Sequence, residues 1–172
     1  MGTSLDLTTN NRAEVFEAVR KYLRGLHLTI INEDTSRPWG GFFVLDESQA
    51  GEFAAQFFPT IAVDSLRISG KLSPKILMVE PGKRLSWQYH HRRAEIWRTI
   101  GGTVAVATSM TDVESERTQV GVGETIRLAQ GQRHRLIGLD GWGVVAEIWQ
   151  HTDAQKPSDE SDIIRLQDDF GR

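Results

Sequence analysis

Residues 82–102 read GKRLSWQYHHRRAEIWRTIGG, a block bounded by glycines. Side chains alternate between the two faces of a β-strand, so Gln88 and His90 project to one side while His91 points to the other. After a short turn a second strand begins near Glu95, whose carboxylate can swing towards the same point. The block therefore predicts a strand pair that brings an amide, an imidazole and a carboxylate together.

A second glycine-bounded block supplies a fourth donor. Residues 123–131 begin and end in glycine, and His134 follows on what would be a separate hairpin. The chain has no cysteine, which leaves imidazole, carboxylate and amide as metal ligands. Together with Gln88, His90 and Glu95, His134 suits one divalent metal ion, zinc in the first place and otherwise manganese, iron, cobalt or nickel. Without an ion, a carboxylate among imidazoles in a barrel interior would be costly to bury.

This spacing resembles the two motifs of the cupin superfamily, G-x5-H-x-H-x4-E-x6-G and G-x5-P-x-G-x2-H-x3-N. The positions that agree are Gly82, His90, Glu95, Gly102, Gly123, Gly131 and His134. The departures are Gln88 for the first histidine, Ala129 for the proline and Gly138 for the asparagine.

With a glutamine, Gln88, at the first ligand position, the segment resembles more narrowly the type II mannose-6-phosphate isomerases. In that family the cupin is often the C-terminal half of a bifunctional enzyme whose other half is a mannose-1-phosphate guanylyltransferase. Arg37-Pro38-Trp39-Gly40 and the ending at residues 160–172 add to the resemblance. It implies an all-β cupin fold, described as a double-stranded β-helix or jelly-roll barrel. It also implies interconversion of mannose 6-phosphate and fructose 6-phosphate through an enediolate, whose charge a metal ion would stabilise.

The resemblance also suggests catalytic residues, each with a structural alternative. Glu147 aligns with a family glutamate and is a candidate base, or else a structural carboxylate paired with an arginine. Lys75 stands where the family has a lysine ahead of a Pro-Gly turn, so it could bind phosphate, polarise the substrate or be a solvated strand-end charge. Arg135 belongs to a His-Arg-Leu triplet like that of the family, although alternation aims it away from the face of His134 unless a bulge intervenes.

Other residues beside the proposed ligands are candidates for substrate contact. Arg93 matches the family arginine before the ligand glutamate and could orient that carboxylate or meet the substrate. Trp97 should share the face of Glu95 and could form a wall of the sugar pocket, with core packing as the alternative. Arg92 and Ile96 stand where the family usually has histidines. These departures leave open another sugar substrate, or a non-catalytic cupin that binds or senses a sugar.

Length and composition agree with one globular domain. The chain has 172 residues, of which 39% are hydrophobic and 25% charged, and a formal net charge of -3. This charge makes nucleic acid an unexpected partner, and a small sugar phosphate is the expected one. No basic-then-apolar leader or long apolar run occurs, so we expect a cytoplasmic protein without membrane contact. A homodimer is expected from the resemblance.

The pattern along the chain predicts an N-terminal helical extension over residues 1–32 and a cupin barrel over 33–172. An amphipathic helix is expected at 10–24, capped near Asn11 and Glu14 and ended by Gly25; its apolar face could cover the barrel, meet a second subunit or pack into the core. Strands are predicted at 40–45, 75–79, 85–91, 94–100, 103–108, 116–120, 125–128, 133–137 and 144–150. Residues 46–70 stay without assignment, with a short helix or a loop at 47–58.

Overall fold

A computed structural model describes residues 5, 7–68 and 70–171, and these residues form two α-helices and eleven strands. The helices are α1 (Arg12–Gly25) and α2 (Ala50–Phe57). The strands are β1 (Ile30–Arg37), β2 (Gly40–Leu45), β3 (Lys75–Val79), β4 (Trp87–Tyr89), β5 (Arg93–Gly101), β6 (Val104–Ser109), β7 (Thr118–Val120), β8 (Thr125–Leu128), β9 (Arg133–Gly138), β10 (Gly143–His151) and β11 (Ile164–Gln167). Within the described ranges, neither helix has the length and apolar character needed to cross a membrane.

The strands form two antiparallel sheets, which confirms the predicted all-β architecture. One sheet has the order β1-β2-β3-β10-β5-β8, and the other has the order β11-β4-β9-β6-β7. Side chains from both sheets meet in one apolar cluster that includes Leu77, Val106 and Leu136. The space between the sheets is therefore the interior of the barrel.

The central strands of the six-stranded sheet are buried on both faces. On β3, Leu77 joins the cluster between the sheets, whereas Ile76 and Met78 join a second cluster with the helices. A strand buried on both sides carries apolar residues at successive positions, as β3 does over Ile76–Val79. The same alternation on β5 and β10 decides which of their residues reach the interior.

Helix α1 packs its apolar face against this sheet. Val15, Phe16, Val19 and Leu23 are buried, and the Phe16 ring makes edge contacts with Phe43 and Trp142. Each such side chain contributes roughly 1.5–3 kcal/mol through burial. Of the three roles considered for this helix, core packing is the one observed.

The start of α1 agrees with the predicted cap. The Asn11 side chain accepts a hydrogen bond from the Glu14 N–H at 3.1 Å. The Thr9 hydroxyl donates to the Glu14 carboxylate at 2.6 Å and accepts from the Asn11 N–H at 3.0 Å. Two N–H groups near the helix start are thereby satisfied, which stabilises the helix.

The segment left without assignment contains α2, preceded by a short 3₁₀ helix at Glu47–Gln49. The rings of Phe53 and Phe57 are buried on the same side of the sheet as α1. Strand β1 runs across residues 32 and 33, where the sequence placed the start of the barrel. The predicted strand at 85–91 is shorter in the structure, where β4 ends at Tyr89. Residues 90–92 form a turn in which the His91 and Arg92 N–H groups donate to the Asp162 carboxylate.

Candidate metal centre and substrate cavity

Three buried side chains converge inside the barrel: His90, Glu95 and His134. One ligand atom from each lies within 4.8 Å of the other two. His90 Nε2 is 3.1 Å from Glu95 Oε1, and His134 Nε2 is 3.5 Å from Glu95 Oε2. The residues come from β5, β9 and the turn after β4, so the structure brings together the donors that the spacing predicted.

Both imidazoles have the orientation of metal ligands. His90 Nδ1 lies 2.6 Å from the Asp162 carbonyl oxygen, and His134 Nδ1 lies 3.1 Å from that of Gln132. A carbonyl oxygen can only accept, so each Nδ1 carries a proton, and each Nε2 offers a lone pair when its ring is neutral. Both lone pairs face Glu95, an arrangement typical of histidines that bind metal through Nε2.

Gln88 completes the set of four. Its Nε2 atom is 3.5 Å from Nε2 of both His90 and His134, and its Oε1 accepts from the Ser86 hydroxyl at 2.6 Å. The oxygen and nitrogen of an amide exchange places on rotation, so the same side chain can present Oε1 to the cluster. Gln88 is directly opposite His134 in the β4–β9 pairing, which explains their proximity.

The donors fit a divalent cation. Glu95 Oε2 is buried and has no hydrogen-bond partner among the described residues. A buried carboxylate oxygen without a partner is destabilising, and a cation held at this point would satisfy it together with the two lone pairs. Two nitrogens and one or two oxygens suit zinc and the neighbouring transition metals.

The protonation states also favour metal binding. Burial alone would raise the pKa of Glu95, but His90 and Arg93 outweigh burial and hold this pKa well below its ordinary value. Burial lowers the pKa of His134 to about 4, although the Glu95 charge opposes this change. At neutral pH Glu95 is therefore ionised and His134 neutral, as metal ligands must be.

Arg93 is a positioning residue for Glu95. Its Nε donates to Glu95 Oε1 at 2.8 Å, and its Nη1 donates to Ser158 Oγ and to the Asp159 carbonyl oxygen. Its guanidinium carbon lies 3.6 Å from the centre of the Trp149 ring. Arg93 Nη2 also lies 3.3 Å from His90 Nε2. These contacts give Arg93 the orienting role considered for it, and its guanidinium also lines the cavity described next.

A cavity opens beside the triad, with about 610 Å³ of space including the part continuous with solvent. Six of the residues singled out from the sequence line it: Lys75, Gln88, Arg93, Glu95, Trp97 and Glu147. They share a face because Lys75 pairs with Glu147 across β3–β10, and Glu147 pairs with Trp97 across β10–β5. Strand pairing therefore places a cation, a carboxyl group and an aromatic wall in one row.

Glu147 is held by two tryptophans. Its Oε2 accepts from the Trp97 indole at 2.6 Å and its Oε1 from the Trp149 indole at 2.8 Å. Burial, followed by repulsion from Glu95, raises the pKa of Glu147 to about 8, although Lys75 and Arg93 act in the opposite direction. The alternative of a carboxylate paired with an arginine is therefore not observed. Trp97 has two contacts at the site, since its ring also meets His134 edge-on at 5.4 Å.

Arg135 was wrongly included among the catalytic residues. It projects from β9 on the face opposite His134, where it donates to Glu114, to the Leu85 carbonyl oxygen and to Gln167. No bulge interrupts the β6–β9 pairing at this point, so strand alternation determines its direction. It links the outer face of the five-stranded sheet to the C-terminal strand.

Arg92 and Ile96, which stand where the family usually has histidines, also lie away from the cavity. Ile96 follows Glu95 on β5, so it faces the helices and joins their apolar cluster. Arg92 is near Asp159 and Asp162, outside the cavity lining. Neither residue faces the pocket, so these two departures do not change its wall.

Several residues that line the cavity were missed as site residues: Arg37, Trp39, Phe42, Leu77, Leu85, Glu160, Ile163 and Arg165. Arg37 and Trp39 belong to the Arg37-Pro38-Trp39-Gly40 turn, and Glu160 and Arg165 to the C-terminal segment. Both segments had been noted only as family markers. The signal that could have indicated them is an arginine close to a tryptophan in residues 37–40 and close to a glutamate in residues 160–165.

Solved structures show the class to which this fold belongs. The chain is similar to oxalate decarboxylase from Bacillus subtilis, with a TM-score of 0.53, 16% identity and coverage of 78% of this chain and 30% of that chain. It is also similar to recombinant oxalate oxidase in complex with glycolate, with a TM-score of 0.51, 17% identity and coverage of 77% and 58%. Two facing antiparallel sheets around a buried His-Glu-His cluster make this protein a cupin.

Sequence comparison defines the family within that class. A family model described as mannose-6-phosphate isomerase C-terminal matches residues 52–168, and the chain belongs to this family. It is 32% identical over 117 residues to the alginate biosynthesis protein AlgA of Pseudomonas aeruginosa, covering 66% of this chain and 22% of that protein. It is 27% identical over 148 residues to the mannose-1-phosphate guanylyltransferase ManC of Salmonella typhimurium, covering 86% and 25%. The chain thus spans about a quarter of the length of these relatives.

Proposed function

We propose that this cupin is a metal-dependent sugar-phosphate isomerase that interconverts mannose 6-phosphate and fructose 6-phosphate. The observation that carries the proposal is the position of Glu147: a buried carboxyl group with a raised pKa shares one cavity with the His-Glu-His triad. The family assignment supports the same reaction. We also propose the cytoplasm as its site of action and a homodimer as its assembly, both of which remain predictions.

Gln88, His90, Glu95 and His134 would hold the metal ion. When bound, a divalent ion supplies Lewis-acid stabilisation for the negative charge that develops on the sugar oxygens. Arg93 keeps Glu95 in place through its 2.8 Å hydrogen bond. The Asp162 and Gln132 carbonyl oxygens keep the two Nε2 atoms pointed at the centre.

Glu147 is the proposed base. It would take the proton from C2 of the aldose, and the electrons of that C–H bond would form the carbon–carbon double bond of the enediolate. Return of this proton to C1, together with transfer of the hydroxyl proton from O2 to O1, then gives the ketose. A carboxylate with a raised pKa is a stronger base than an ordinary one, and a base is most effective when its pKa is near the working pH. The two indole N–H groups stabilise the ionised form and hold it towards the cavity.

Lys75 is the proposed contact for the phosphate of the substrate. Its ammonium group is buried at the start of β3 and lines the same cavity as Glu147. With Arg135 on the outer face and Arg93 engaged by Glu95, Lys75 is the cation that remains of the three considered from the sequence. Trp97 would form one wall of the sugar pocket.

The first test is metal analysis of the purified protein, followed by a coupled assay on mannose 6-phosphate. We expect activity that a chelator removes and added metal restores. Glu95→Ala should lose both metal and activity, whereas Glu116→Ala, at an exposed position outside the cavity, should keep both. Bound metal without turnover in the unmodified protein would contradict the isomerase proposal.

A second test separates the base from the ligands. Glu147→Gln keeps the shape of the side chain, so we expect the variant to retain metal. Its kcat should fall by roughly 10²–10⁴, the usual contribution of a general base. A variant that keeps full activity would show that another group moves the proton.

A further inference from the structure

Lys75 is a buried cation with an exposed partner. Its ammonium forms an ion pair with the Glu160 carboxylate, and the two side chains are 8% and 66% exposed, respectively. The ammonium also lies 4.7 Å from the centre of the Phe42 ring and 5.1 Å from that of Trp149. A cation in such surroundings requires a counter-charge. In this structure a solvent-facing glutamate provides it.

Nearby carboxyl groups have other partners. Both oxygens of Glu147 accept indole N–H groups, so its hydrogen bonds are directed at the tryptophans. The Glu160 side chain makes one hydrogen bond among the described residues, and that bond is to Lys75. Its carboxylate can therefore turn into solvent without breaking another contact.

The backbone around Glu160 is tied down independently of that side chain. Ser158 accepts from Arg93 at 2.8 Å and donates to Asp162 at 2.6 Å. The carbonyl oxygen of Asp159 accepts from Arg93 at 3.0 Å. Release of the Glu160 carboxylate is thus a side-chain rotation and does not require the loop to unfold.

A second cation, Arg37, approaches the same aromatic ring. The Arg37 guanidinium carbon is 5.6 Å from the centre of the Phe42 ring that Lys75 also approaches, and its Nε is 2.9 Å from Asp34. Both cations line the cavity that holds Glu147 and Glu95. An anion that replaced the Glu160 carboxylate beside Lys75 would therefore have a second positive charge nearby.

We propose that Glu160 is an internal competitor for the anionic group of the substrate. In the free protein its carboxylate occupies the position beside Lys75, and a phosphate group displaces it into solvent. A phosphate monoester carries about −1.5 to −2 charge at pH 7, so it interacts with Lys75 more strongly than a carboxylate of charge −1. A neutral sugar cannot displace Glu160, which makes this residue a determinant of specificity for phosphorylated substrates. The identity of the substrate rests on the proposed function, whereas the competition for Lys75 does not.

The test is titration of inorganic phosphate into the full chain, with and without added metal, by calorimetry. Glu160→Gln removes the competing charge and should bind phosphate about 5- to 10-fold more tightly, as expected for removal of an ion pair with one buried partner. Glu116→Gln makes the same change of net charge at an exposed position outside the cavity and should leave the affinity unchanged. Equal effects of the two substitutions would overturn the proposal, since they would reflect net charge alone.

A double-mutant cycle identifies the site of competition. Lys75→Met should weaken phosphate binding, and Glu160→Gln should then have no further effect. A gain in affinity that persists in the Lys75→Met background would also overturn the proposal. For Glu160→Gln, the KM for mannose 6-phosphate should fall with kcat unchanged. If no variant isomerises the sugar, the proposed function fails, while the phosphate titration still decides the role of Glu160.

Discussion

Replacing Asp162 by asparagine tests how the C-terminal segment holds the turn that carries His90. Asp162 is buried, and its Oδ1 accepts from the His91 N–H at 2.9 Å. Its Oδ2 accepts from the Arg92 N–H at 2.9 Å and from the Ser158 hydroxyl at 2.6 Å. The backbone carbonyl of the same residue accepts from His90 Nδ1 at 2.6 Å. One residue thus fixes both the turn and the orientation of a proposed metal ligand.

The expected loss of stability follows from the pKa of Asp162. Burial alone would raise this pKa, but the hydrogen bonds from Ser158 and from the His91 and Arg92 N–H groups lower it from 3.8 to about 2. A difference of this size corresponds to about 2 kcal/mol. Asparagine also places an NH2 group against one of these donors, and a buried donor without an acceptor costs about 1–3 kcal/mol. The two effects overlap, so we expect Asp162→Asn to lower the free energy of unfolding by about 2–3 kcal/mol at pH 7.

This contribution depends on pH in a defined direction. Because the pKa of Asp162 is lower in the folded than in the unfolded protein, its ionisation stabilises the fold fully above about pH 4. The contribution disappears as the pH falls from there towards 2, where the folded carboxylate takes up its proton. The stability difference between the unmodified protein and Asp162→Asn should therefore narrow in acid.

Urea denaturation of the metal-free protein at pH 7, 4.5, 3 and 2 measures this difference. Asp140→Asn is the matched control, because Asp140 is exposed and the same charge is removed. The reasoning is refuted if the two variants are equally stable at pH 7, or if the deficit of Asp162→Asn stays constant down to pH 2. Metal affinity gives a second readout: asparagine keeps the backbone carbonyl that accepts from His90 but loosens the turn that positions this histidine, so we expect weaker binding, by at most the roughly 10- to 100-fold typical of losing such a supporting contact.

Three further substitutions or treatments test other parts of the structure. Trp97→Phe removes an N–H donor from the Glu147 carboxylate, which disfavours the ionised form, so the acid limb of kcat/KM should move to higher pH in a pH–rate profile. Phe53→Ala should lower the free energy of unfolding by about 3–5 kcal/mol in a urea titration, since Phe53 is fully buried, whereas Val122→Ala at an exposed position should have little effect. Chelation should lower the Tm of the metal-loaded protein, because it removes the stabilisation that metal binding provides. This stabilisation is about 2.7 kcal/mol when the free metal is at 100 times its Kd, and Glu95→Ala should show no such change.

Local periodicity accounts for much of what could be predicted. The strands expected at 40–45, 75–79 and 125–128 match β2, β3 and β8 in both bounds. Alternation also placed Gln88 and His90 together, and it gave the correct direction for Arg135 even though the family resemblance suggested a catalytic role. Ile96 shows the same lesson, because its place next to Glu95 already implied the opposite face. At both positions the physical rule was more informative than the family pattern.

Contacts between distant segments could not be read from periodicity. Asp162 orients His90 across 72 residues, and Glu160 reaches Lys75 across 85 residues. Arg37 shares the cavity with the C-terminal segment only because the end of β1 and the start of β11 both reach the cavity lining. The residues between these partners form strands and turns of their own, and the local sequence pattern does not indicate which distant residues come into contact.

Sequence alone was enough to specify the alternating strands, the cap of α1 and the four donors at cupin spacing, because each depends on residues close together along the chain. The packing of the two sheets and the path of the C-terminal segment determined the rest. They placed Glu147 between two indoles and set Glu160 against Lys75. These outcomes depend on burial and on distances between remote residues, which exist only once the chain has folded.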